Sequence, residues 1–529
     1  MAKKSVTKKV DFKETLWKSA DKLRNQMDAA EYKHIVLGLI FLKYISDTFD
    51  IQKNKIKEMV SDPKSDFFIS EDPKVYEKEL EDRDYYTQDN VFWVPQKARW
   101  EKIRAQAKQS DIGSIIDKAM VEIENENKSL QGKLDKRFGR TQLEAGKLGE
   151  LIDLISKIGF TDEQKANDLL GEVYEYFLGQ FATAEGKKGG QFYTPGHIVK
   201  TLVAVLSPHK GRIYDPCCGS GGMFVQSEEF VKSHGGKIDD VSIYGQESNP
   251  TTWRLAAMNL AIRGFAVDLG KTNGDTFAND QFPDLKFDYI MANPPFNISE
   301  WGGEKYENDV RWKYGRPPEG NANYAWLQHM LWKLKLGGQA GVVLANGSMS
   351  SNTSGEGDIR KAMIEGDVVE AMVSLPDKLF LNTQIPCCLW FLTNDKTKNG
   401  RDRRNEILFI DGRNLGTMET KALRVLTSDD ILKLSETYKA WRQGKNYKDI
   451  NGFCKSSSIK EIEKNKFLLT PGRYVGIPDN LNDDIFSEKN IIKCIDEYEK
   501  LVSKNKEISK QVEVNIDLLK KFLKINDNS

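Results

Sequence analysis

The stretch Ile213-Tyr-Asp-Pro-Cys-Cys-Gly-Ser-Gly-Gly222 determines the fold that this sequence predicts. Its apolar start is typical of a short strand ending at Asp215, and its glycines predict a tight turn into a helix at Met223. Glycine lets backbone approach a ligand closely and a helix start offers free N–H groups, so the turn suits a cofactor site. An ordinary β-to-α turn is the alternative. Because the spacing is not G-x-G-x-x-G, a nicotinamide cofactor is less favoured.

Around this turn, from about residue 166 to 400, short apolar runs alternate with helix-like segments such as Thr252–Ile262 and Tyr324–Leu334. The predicted strands are Arg212–Asp215, Ser242–Gln246, Tyr289–Ala292, Gly341–Leu344, Val368–Leu375 and Leu389–Leu392. This alternation predicts an α/β domain built from βαβ units around a mostly parallel sheet. We place that domain at residues 166–480.

The flanking regions both predict helices. Residues 1–165 form a predicted helical domain, because Lys13–Asp28 and His34–Phe49 carry apolar residues at helical spacing. Segment 61–95 is polar, contains prolines and predicts loops. The tail, 481–529, is charged and spaced for one long helix or a helical pair. Packing on its own chain and docking on a partner subunit fit the tail equally well.

Composition limits the classes of protein that fit. The 529 residues include 78 basic and 78 acidic side chains, so the formal net charge is zero. A protein that grips DNA alone usually carries a basic excess, so another chain would have to supply much of such a grip. The longest apolar run, Ile35–Leu42, is too short to span a bilayer, and no signal core follows the N-terminus. We therefore expect a cytoplasmic protein.

The six cysteines show neither CxxC nor Cys/His metal spacing. Two pairs, Cys217-Cys218 and Cys387-Cys388, are adjacent in the chain, and neighbouring cysteines rarely bridge each other. Buried thiols in a reducing compartment are the favoured interpretation, and no metal site is expected.

Two acids follow the glycine turn at intervals typical of a nucleoside site. Glu247 ends the predicted strand Ile243-Tyr-Gly-Gln-Glu247, where a carboxylate can accept hydrogen bonds from both ribose hydroxyls. Alone, it would more often be a surface acid. Asp275, in Asn273-Gly-Asp275-Thr-Phe277, could accept a hydrogen bond from an adenine amine. An Asx turn explains Asp275 nearly as well.

The chemistry is indicated by Phe287-Asp-Tyr-Ile-Met-Ala-Asn293-Pro294-Pro295-Phe296. An aromatic amine is a poor nucleophile because its lone pair is delocalised into the ring. The Asn293 side-chain oxygen and the Pro294 carbonyl can accept both N–H bonds and so localise that lone pair. Phe296 can stack on the base, and an adenine in duplex DNA must be flipped out to reach them. A purely structural proline turn is the alternative.

Upstream, Gly190-Gln-Phe-Tyr-Thr-Pro-Gly196 precedes a predicted helix from His197. Thr194 is the predicted N-cap, with Pro195 at the first helical position. The aromatic loop and its free N–H groups suit the methionine end of S-adenosylmethionine, although a capped helix start explains it too. His197 is expected to be a surface residue.

In this order, QFYTPG (191–196), DPCCGSGG (215–222), GQE (245–247) and NPPF (293–296) resemble the modification subunits of type I restriction-modification systems, which are N6-adenine DNA methyltransferases. Segments 313–326 and 373–380 also resemble that family's catalytic domain. The resemblance spans about 11–480 and is weakest beyond it. The sequence departs from the pattern of this family at Cys217-Cys218, where small residues such as alanine are common in the family.

The resemblance implies a helical N-terminal domain, a Rossmann-like methyltransferase domain and transfer of a methyl group from S-adenosyl-L-methionine to adenine N6 in a specific DNA sequence. Asn293, Pro294, Pro295 and Phe296 would hold the adenine. The implied cofactor-binding residues are Gln191, Phe192, Tyr193, Thr194, Pro195, Gly196, Asp215, Gly219, Ser220, Gly221, Gly222, Glu247 and Asp275.

The family also implies partners. A specificity subunit would read double-stranded DNA, with two modification subunits bound to each specificity subunit and the target adenine flipped out. A restriction subunit would add DNA cleavage.

Two other functions compete with this one. A protein methyltransferase acting on a glutamine amide uses a related Asn-Pro-Pro-aromatic turn, but the large N-terminal domain and segment 313–326 argue against it. A non-catalytic assembly protein is disfavoured by the intact Asn293–Phe296 turn.

A third alternative concerns DNA binding. Basic residues of the 300–320 loop, interleaved with Trp312 and Tyr314, could clamp DNA without a partner: Lys305, Arg311, Lys313 and Arg316. A solvated loop is equally compatible with this sequence.

Overall fold

A computed structural model describes most of the chain. The described residues are 6–24, 27–89, 91–141, 143–157, 173–174, 176–181, 194–233, 240–262, 267–380, 385–478 and 488–522. None of the helices in these ranges combines the length and the apolar character needed to cross a membrane.

The N-terminal region is helical, as predicted. Its central helix, α2, is apolar on nearly all sides from Tyr32 to Ile45 and is buried there, as a helix without a polar face must be. The polar segment 61–95 contains only short helices. The helices are α1 (Val6–Arg24), α2 (Ala29–Ser61), α3 (Pro73–Tyr76), α4 (Asp84–Thr87), α5 (Trp100–Ala105), α6 (Ile112–Glu126) and α7 (Ala145–Ile155).

A nine-stranded sheet forms the centre of the second region, in the order β11-β8-β6-β7-β5-β4-β1-β2-β3. It is mostly parallel; β7 runs antiparallel to β5 and β6, and β11 antiparallel to β8. β9 and β10 pair separately. The strands are β1 (Gly211–Asp215), β2 (Val241–Gly245), β3 (Val267–Asp268), β4 (Phe287–Ala292), β5 (Leu334–Ala345), β6 (Val369–Ser374), β7 (Cys387–Thr393), β8 (Glu406–Asp411), β9 (Thr417–Met418), β10 (Arg424–Val425) and β11 (Cys454–Ser458).

Helices cover both faces of this sheet, which explains why strands such as β6 and β7 are buried along their whole length. One face packs on α8, α9, α10 and α13, and the other on α11, α12 and α14. The helices are α8 (Gly196–Leu206), α9 (Gly222–Ser233), α10 (Pro250–Ile262), α11 (Asn323–Lys333), α12 (Glu356–Glu365), α13 (Ser428–Gln443), α14 (Ile459–Lys464) and α15 (Glu488–Phe522).

Helix α10 belongs to two hydrophobic cores. Leu255 and Met258 pack into the core of the N-terminal helices, whereas Trp253 and Leu260 pack against the sheet. The Trp253 indole donates to the Leu269 carbonyl at 2.9 Å. The N-terminal helices are therefore connected to the sheet through one shared helix.

The tail forms one long helix, α15, which is one of the two predicted alternatives. Most of its described apolar side chains are exposed, as at Ile492, Ile495, Tyr498, Leu501 and Ile508, and none of them is buried. Among the described residues it therefore does not pack on its own chain.

Candidate active site

The candidate site lies where the carboxyl ends of three neighbouring strands meet. β1 pairs in parallel with both β2 and β4. The loops after Asp215, Gly245 and Ala292 therefore lie at one edge of the sheet, where ligands of open α/β sheets bind. The structure thus brings the glycine turn, Glu247 and Asn293 to the same edge.

The glycine turn is held by the acid that follows β2. Gly219 and Gly221 have φ values of 55° and 82°, a left-handed conformation that favours glycine. The Gly219 N–H donates to Glu247 Oε2 at 3.2 Å. A Cβ atom on Gly221 would lie 3.2 Å from the Leu260 side chain, whereas one on Gly222 would meet open space. The turn is therefore fixed in shape and open towards the site.

Glu247 is buried and holds the loop that follows it. Its Oε1 accepts from the Asn249 N–H at 2.7 Å, and its backbone carbonyl accepts from the Gly274 N–H at 2.9 Å. Sequence reasoning missed the neighbouring Gln246, whose side-chain amide donates to the Gly274 and Asn279 carbonyls at 3.2 and 2.7 Å. Gln246 therefore fixes the loop that carries Asp275.

Asp275 is exposed and makes the Asx turn that was its alternative explanation. Its Oδ1 accepts from the Phe277 and Ala278 N–H groups at 2.8 and 3.0 Å. This contact orders the loop, and a role towards a ligand stays a prediction.

Two buried acids, Asp215 and Glu247, lie at this edge. The pKa of Asp215 is raised to about 7, mainly by burial and to a smaller extent by the nearby Glu247 charge. Burial also raises the pKa of Glu247. Within the described ranges, neither carboxylate has a salt-bridge partner, and only hydrogen bonds from neighbouring groups offset the burial. Such a pocket favours a positively charged ligand.

The Asn-Pro-Pro-Phe turn begins directly after β4. The Asn293 side-chain nitrogen donates to the Thr194 hydroxyl at 3.0 Å. Its Oδ1 is buried and accepts no hydrogen bond from the described residues. The Phe296 ring lies edge to face with Phe380, with the ring centroids 5.9 Å apart. Among the described residues, Asn293 therefore offers an acceptor without a partner close to an aromatic pair. Phe380 belongs to segment 373–380, for which the sequence predicted no role in the site.

The far end of this turn is fixed by a residue that sequence reasoning missed. Asn297 has a left-handed φ of 53°. Asn323, at the first position of α11, accepts from the Asn297 N–H at 3.1 Å and donates to its Oδ1 at 2.8 Å. Asn323 lies in segment 313–326, so the resemblance marked this region without indicating the contact.

Two predictions at the start of α8 were wrong. The helix begins at Gly196 with Pro195 as its N-cap residue, and no side chain caps it. Thr194 instead bonds to Asn293, since its hydroxyl lies one residue too early for a cap. His197 is largely buried rather than on the surface, and burial lowers its pKa to about 4. Gln191, Phe192 and Tyr193 lie outside the described residues.

The proposed basic clamp of the 300–320 loop is also incomplete. Arg311 is buried, pairs with Asp309 at 2.6 Å and donates to the Phe277 carbonyl at 2.9 Å. Arg316 pairs with Glu307 and Glu319. Arg311 therefore supports the loop carrying Asp275, and it is not available to DNA phosphates.

Comparison with known proteins identifies the family. The model of the N-6 DNA methylase family matches residues 165–483, more than half of the chain. The model of the HsdM N-terminal domain matches residues 12–155. The chain belongs to the N-6 DNA methylase family.

The methylase is similar to the type I restriction enzyme HindI methylase subunit of Haemophilus influenzae, at 48% identity over 75% of this chain and 93% of the relative. It is 40% identical to the MjaIX methylase subunit of Methanocaldococcus jannaschii, over 94% of this chain and 91% of the relative. A type I methyltransferase subunit from Streptococcus thermophilus has the same fold, with a TM-score of 0.72 and 26% identity over 88% of this chain and 99% of that structure.

These findings confirm the resemblance, the fold class, the reaction and the cofactor. The methylase is a modification subunit of a type I restriction-modification system, and its reaction is adenine N6 methylation from S-adenosyl-L-methionine. The site fits this cofactor, which carries a positive sulfonium and an ammonium group, because Asp215 and Glu247 are buried acids without a basic partner among the described residues.

Proposed function

We propose that Asn293 and Pro294 hold the target adenine through the two hydrogens of its N6 amine. The observation that carries this proposal is the Asn293 Oδ1 atom, which is buried without a partner among the described residues. A buried acceptor without a partner costs free energy, so its persistence indicates a donor that arrives with a ligand. An adenine amine is such a donor.

The proposed mechanism follows from the chemistry of this turn. Two acceptors hold the N–H bonds out of the ring plane, and the nitrogen lone pair is then directed towards the incoming methyl group. Asn293 is neutral, so it orients the amine and does not deprotonate it. Pro294 and Pro295 have no N–H that would compete for the acceptors. When bound, S-adenosylmethionine supplies the electrophilic methyl group.

Phe296 would stack on the flipped adenine, with Phe380 packed edge to face against it. Phe296 is half-buried and Phe380 buried, and their edge-to-face contact leaves Phe296 partly accessible from the site. Stacking on an aromatic ring commonly contributes about 1–3 kcal/mol per base.

The cofactor is assigned to the other loops of the same edge. We propose that Glu247 accepts from the ribose hydroxyls and Asp275 from the adenine amine. Asp215 and the turn from Gly219 to Gly222 would hold the methionine portion together with residues 191–196. The two acids favour the cationic cofactor because their ionised carboxylates carry negative charge and have no basic partner among the described residues.

A specificity subunit is the proposed source of sequence recognition. The zero net charge of the chain and the pairing of Arg311 and Arg316 with acids support this dependence. We propose two methylase subunits per specificity subunit, a restriction subunit for cleavage, and a cytoplasmic location with the DNA. We also propose that the boundaries between the helical domain, the methyltransferase domain and the tail lie at about residues 165 and 480.

The test is transfer of labelled methyl groups by the complex of the methylase with its specificity subunit. Label is expected in N6-methyladenine after nuclease digestion of the DNA, with none in protein. A complex in which Asn293 is replaced by alanine is the control. Label in glutamine of a protein substrate instead would establish the competing activity, and label at another DNA atom would overturn the proposed site chemistry.

A further inference from the structure

We infer that Asn259 is a positioning residue for the cofactor, because it holds the glycine turn, residues 219–222, in one shape. The inference rests on the proposed assignment of this turn to the methionine portion of S-adenosylmethionine and adds a residue from outside the turn. Asn259 lies on α10, 39 positions after Ser220, and its side-chain nitrogen donates to the Ser220 carbonyl at 2.8 Å. Only 1% of Asn259 is exposed, so it acts through the turn.

The direction of this hydrogen bond is fixed by its acceptor. A backbone carbonyl only accepts, so the NH2 end of the Asn259 amide faces Ser220. The Oδ1 atom at the other end is buried and has no hydrogen-bond partner among the described residues. A buried acceptor without a partner costs free energy, which an apolar side chain such as the neighbouring Met258 or Leu260 avoids. Packing therefore does not explain an amide at this position, whereas the contact with the turn does.

The turn needs such a contact because of its glycines. Gly219 and Gly221 both have positive φ, and glycine reaches many backbone conformations at little steric cost. Between them, the planar peptide that joins Ser220 to Gly221 is hydrogen-bonded at both polar ends. Its carbonyl accepts from Asn259, and its N–H donates to the Cys218 carbonyl at 2.9 Å. Rotation of this peptide would break both bonds, so Asn259 keeps the turn in one conformation.

Other contacts hold the neighbouring residues of the turn. The Gly219 N–H donates to Glu247, and the Leu260 side chain lies where it would contact a Cβ atom on Gly221. Helix α9 begins at Gly222, directly after the peptide that Asn259 holds, and the free N–H groups of a helix start suit a carboxylate such as that of the methionine portion. Loss of the Asn259 contact should therefore weaken binding of the methionine portion more than binding of the nucleoside.

Two substitutions remove the donor in different ways. Asn259→Ala leaves the space of the amide empty, whereas Asn259→Leu fills it and also removes the oxygen without a partner. Calorimetry on the full chain compares S-adenosylhomocysteine, which carries the amino-acid portion, with adenosine, which lacks it. We expect the Kd of S-adenosylhomocysteine to rise about five- to tenfold in both variants, as for the loss of one hydrogen bond. The Kd of adenosine should change less than about twofold.

A matched variant of the same helix separates positioning from stability. Met258 directly precedes Asn259 and packs into the core of the N-terminal helices. Met258→Ala should lower the unfolding temperature at least as much as the Asn259 variants do, yet leave both Kd values within about twofold of the wild type. Exchange of the backbone amide hydrogens of residues 216–224 should be faster in the Asn259 variants and unchanged in Met258→Ala.

An unchanged Kd of S-adenosylhomocysteine in a folded Asn259 variant would overturn the inference. An equal loss of adenosine binding, or an equal loss in Met258→Ala, would overturn it too, because either result would make Asn259 a purely structural residue. Failure of the proposed function is a separate outcome. Gly221→Val distorts the turn directly, and unaffected binding of S-adenosylhomocysteine in that variant would show that the turn does not hold the cofactor.

Discussion

At the scale of single residues, Asn293 is the side chain on which methyl transfer depends most. Asn293→Ala removes the acceptor with no change to the buried acids of the cofactor region. Loss of paired transition-state hydrogen bonds commonly costs about 10² or more in rate. We expect kcat to fall by at least that factor while the Kd of S-adenosylmethionine, from calorimetry, stays nearly constant. Asn54→Ala, on the exposed surface of α2, is the matched control. Normal turnover in the Asn293 variant would refute its role.

Asp215 gives the site a dependence on pH. Because its folded pKa of about 7 lies above the ordinary value of 3.8, the folded protein binds a proton that the unfolded chain has already released between those values. The free energy of unfolding therefore decreases as pH rises through that interval. Without cofactor, Asp215→Asn should unfold at a temperature about 2 °C higher than the wild type at pH 8. This difference in unfolding temperature should be smaller at pH 5.

The same substitution should weaken cofactor binding. A cationic ligand binds the ionised carboxylate, so wild-type affinity should fall as pH drops below about 7, and Asp215→Asn should bind more weakly with a flatter pH profile. Calorimetry between pH 5.5 and 8.5 tests this, with the exposed Asp66→Asn as control. A pH-independent wild-type Kd would contradict the expected ionisation.

At the scale of secondary structure, sequence patterns located the strands that carry the site but not all of their neighbours. β1, β2 and β4 each contain apolar residues and have a polar or glycine residue at or directly after their end, which is why these strands were predictable. β11 is Cys454-Lys-Ser-Ser-Ser458, a polar sequence whose strand conformation depends on pairing with β8. Pairing between distant segments has no local signal, so β11 was missed. β8 was also not predicted, although its central residues 407–410 are apolar.

The same reason explains the missed residues of the site. Gln246 contacts a loop that lies 28 to 33 positions away in the chain. Asn323 contacts a loop that lies 26 positions away. Their residue types alone do not distinguish them from surface amides. The cap assigned to Thr194 failed similarly, because its hydroxyl has a partner 99 positions away.

The start of α11 supplies a test at this scale. Asn323 fixes Asn297 by two hydrogen bonds, so Asn323→Ala should lower the free energy of unfolding by about 1–3 kcal/mol and reduce kcat. Asn323→Asp keeps the acceptor for the Asn297 N–H and loses the donor, so it should fall between wild type and alanine. Denaturant unfolding and single-turnover methylation measure both quantities. A destabilised variant with full kcat would show that the turn does not need this support.

At the scale of the whole molecule, charge predicts dependence on a partner. The chain has zero net charge, and Arg311 and Arg316 are already paired with acids. We expect the isolated methylase to bind S-adenosylmethionine but to methylate duplex DNA site-specifically only with its specificity subunit, since base flipping needs a duplex held in register. Methyl transfer by the chain alone, at a rate comparable with that of the complex, would show the methylase to be self-sufficient.

Helix α10, shared by two cores, has a consequence for the order of events during synthesis. The helices up to α7 leave the ribosome first, yet Leu255 and Met258 complete their core only after another hundred residues have been translated. The nascent helical domain must wait with apolar surface exposed until α10 emerges. When α10 docks, it also brings into place the loop that ends at Asn249, which connects Glu247 to the helix. The same segment of nascent chain, α10, therefore sets the time at which the N-terminal core is completed and the time at which the loop after Glu247 is put in place.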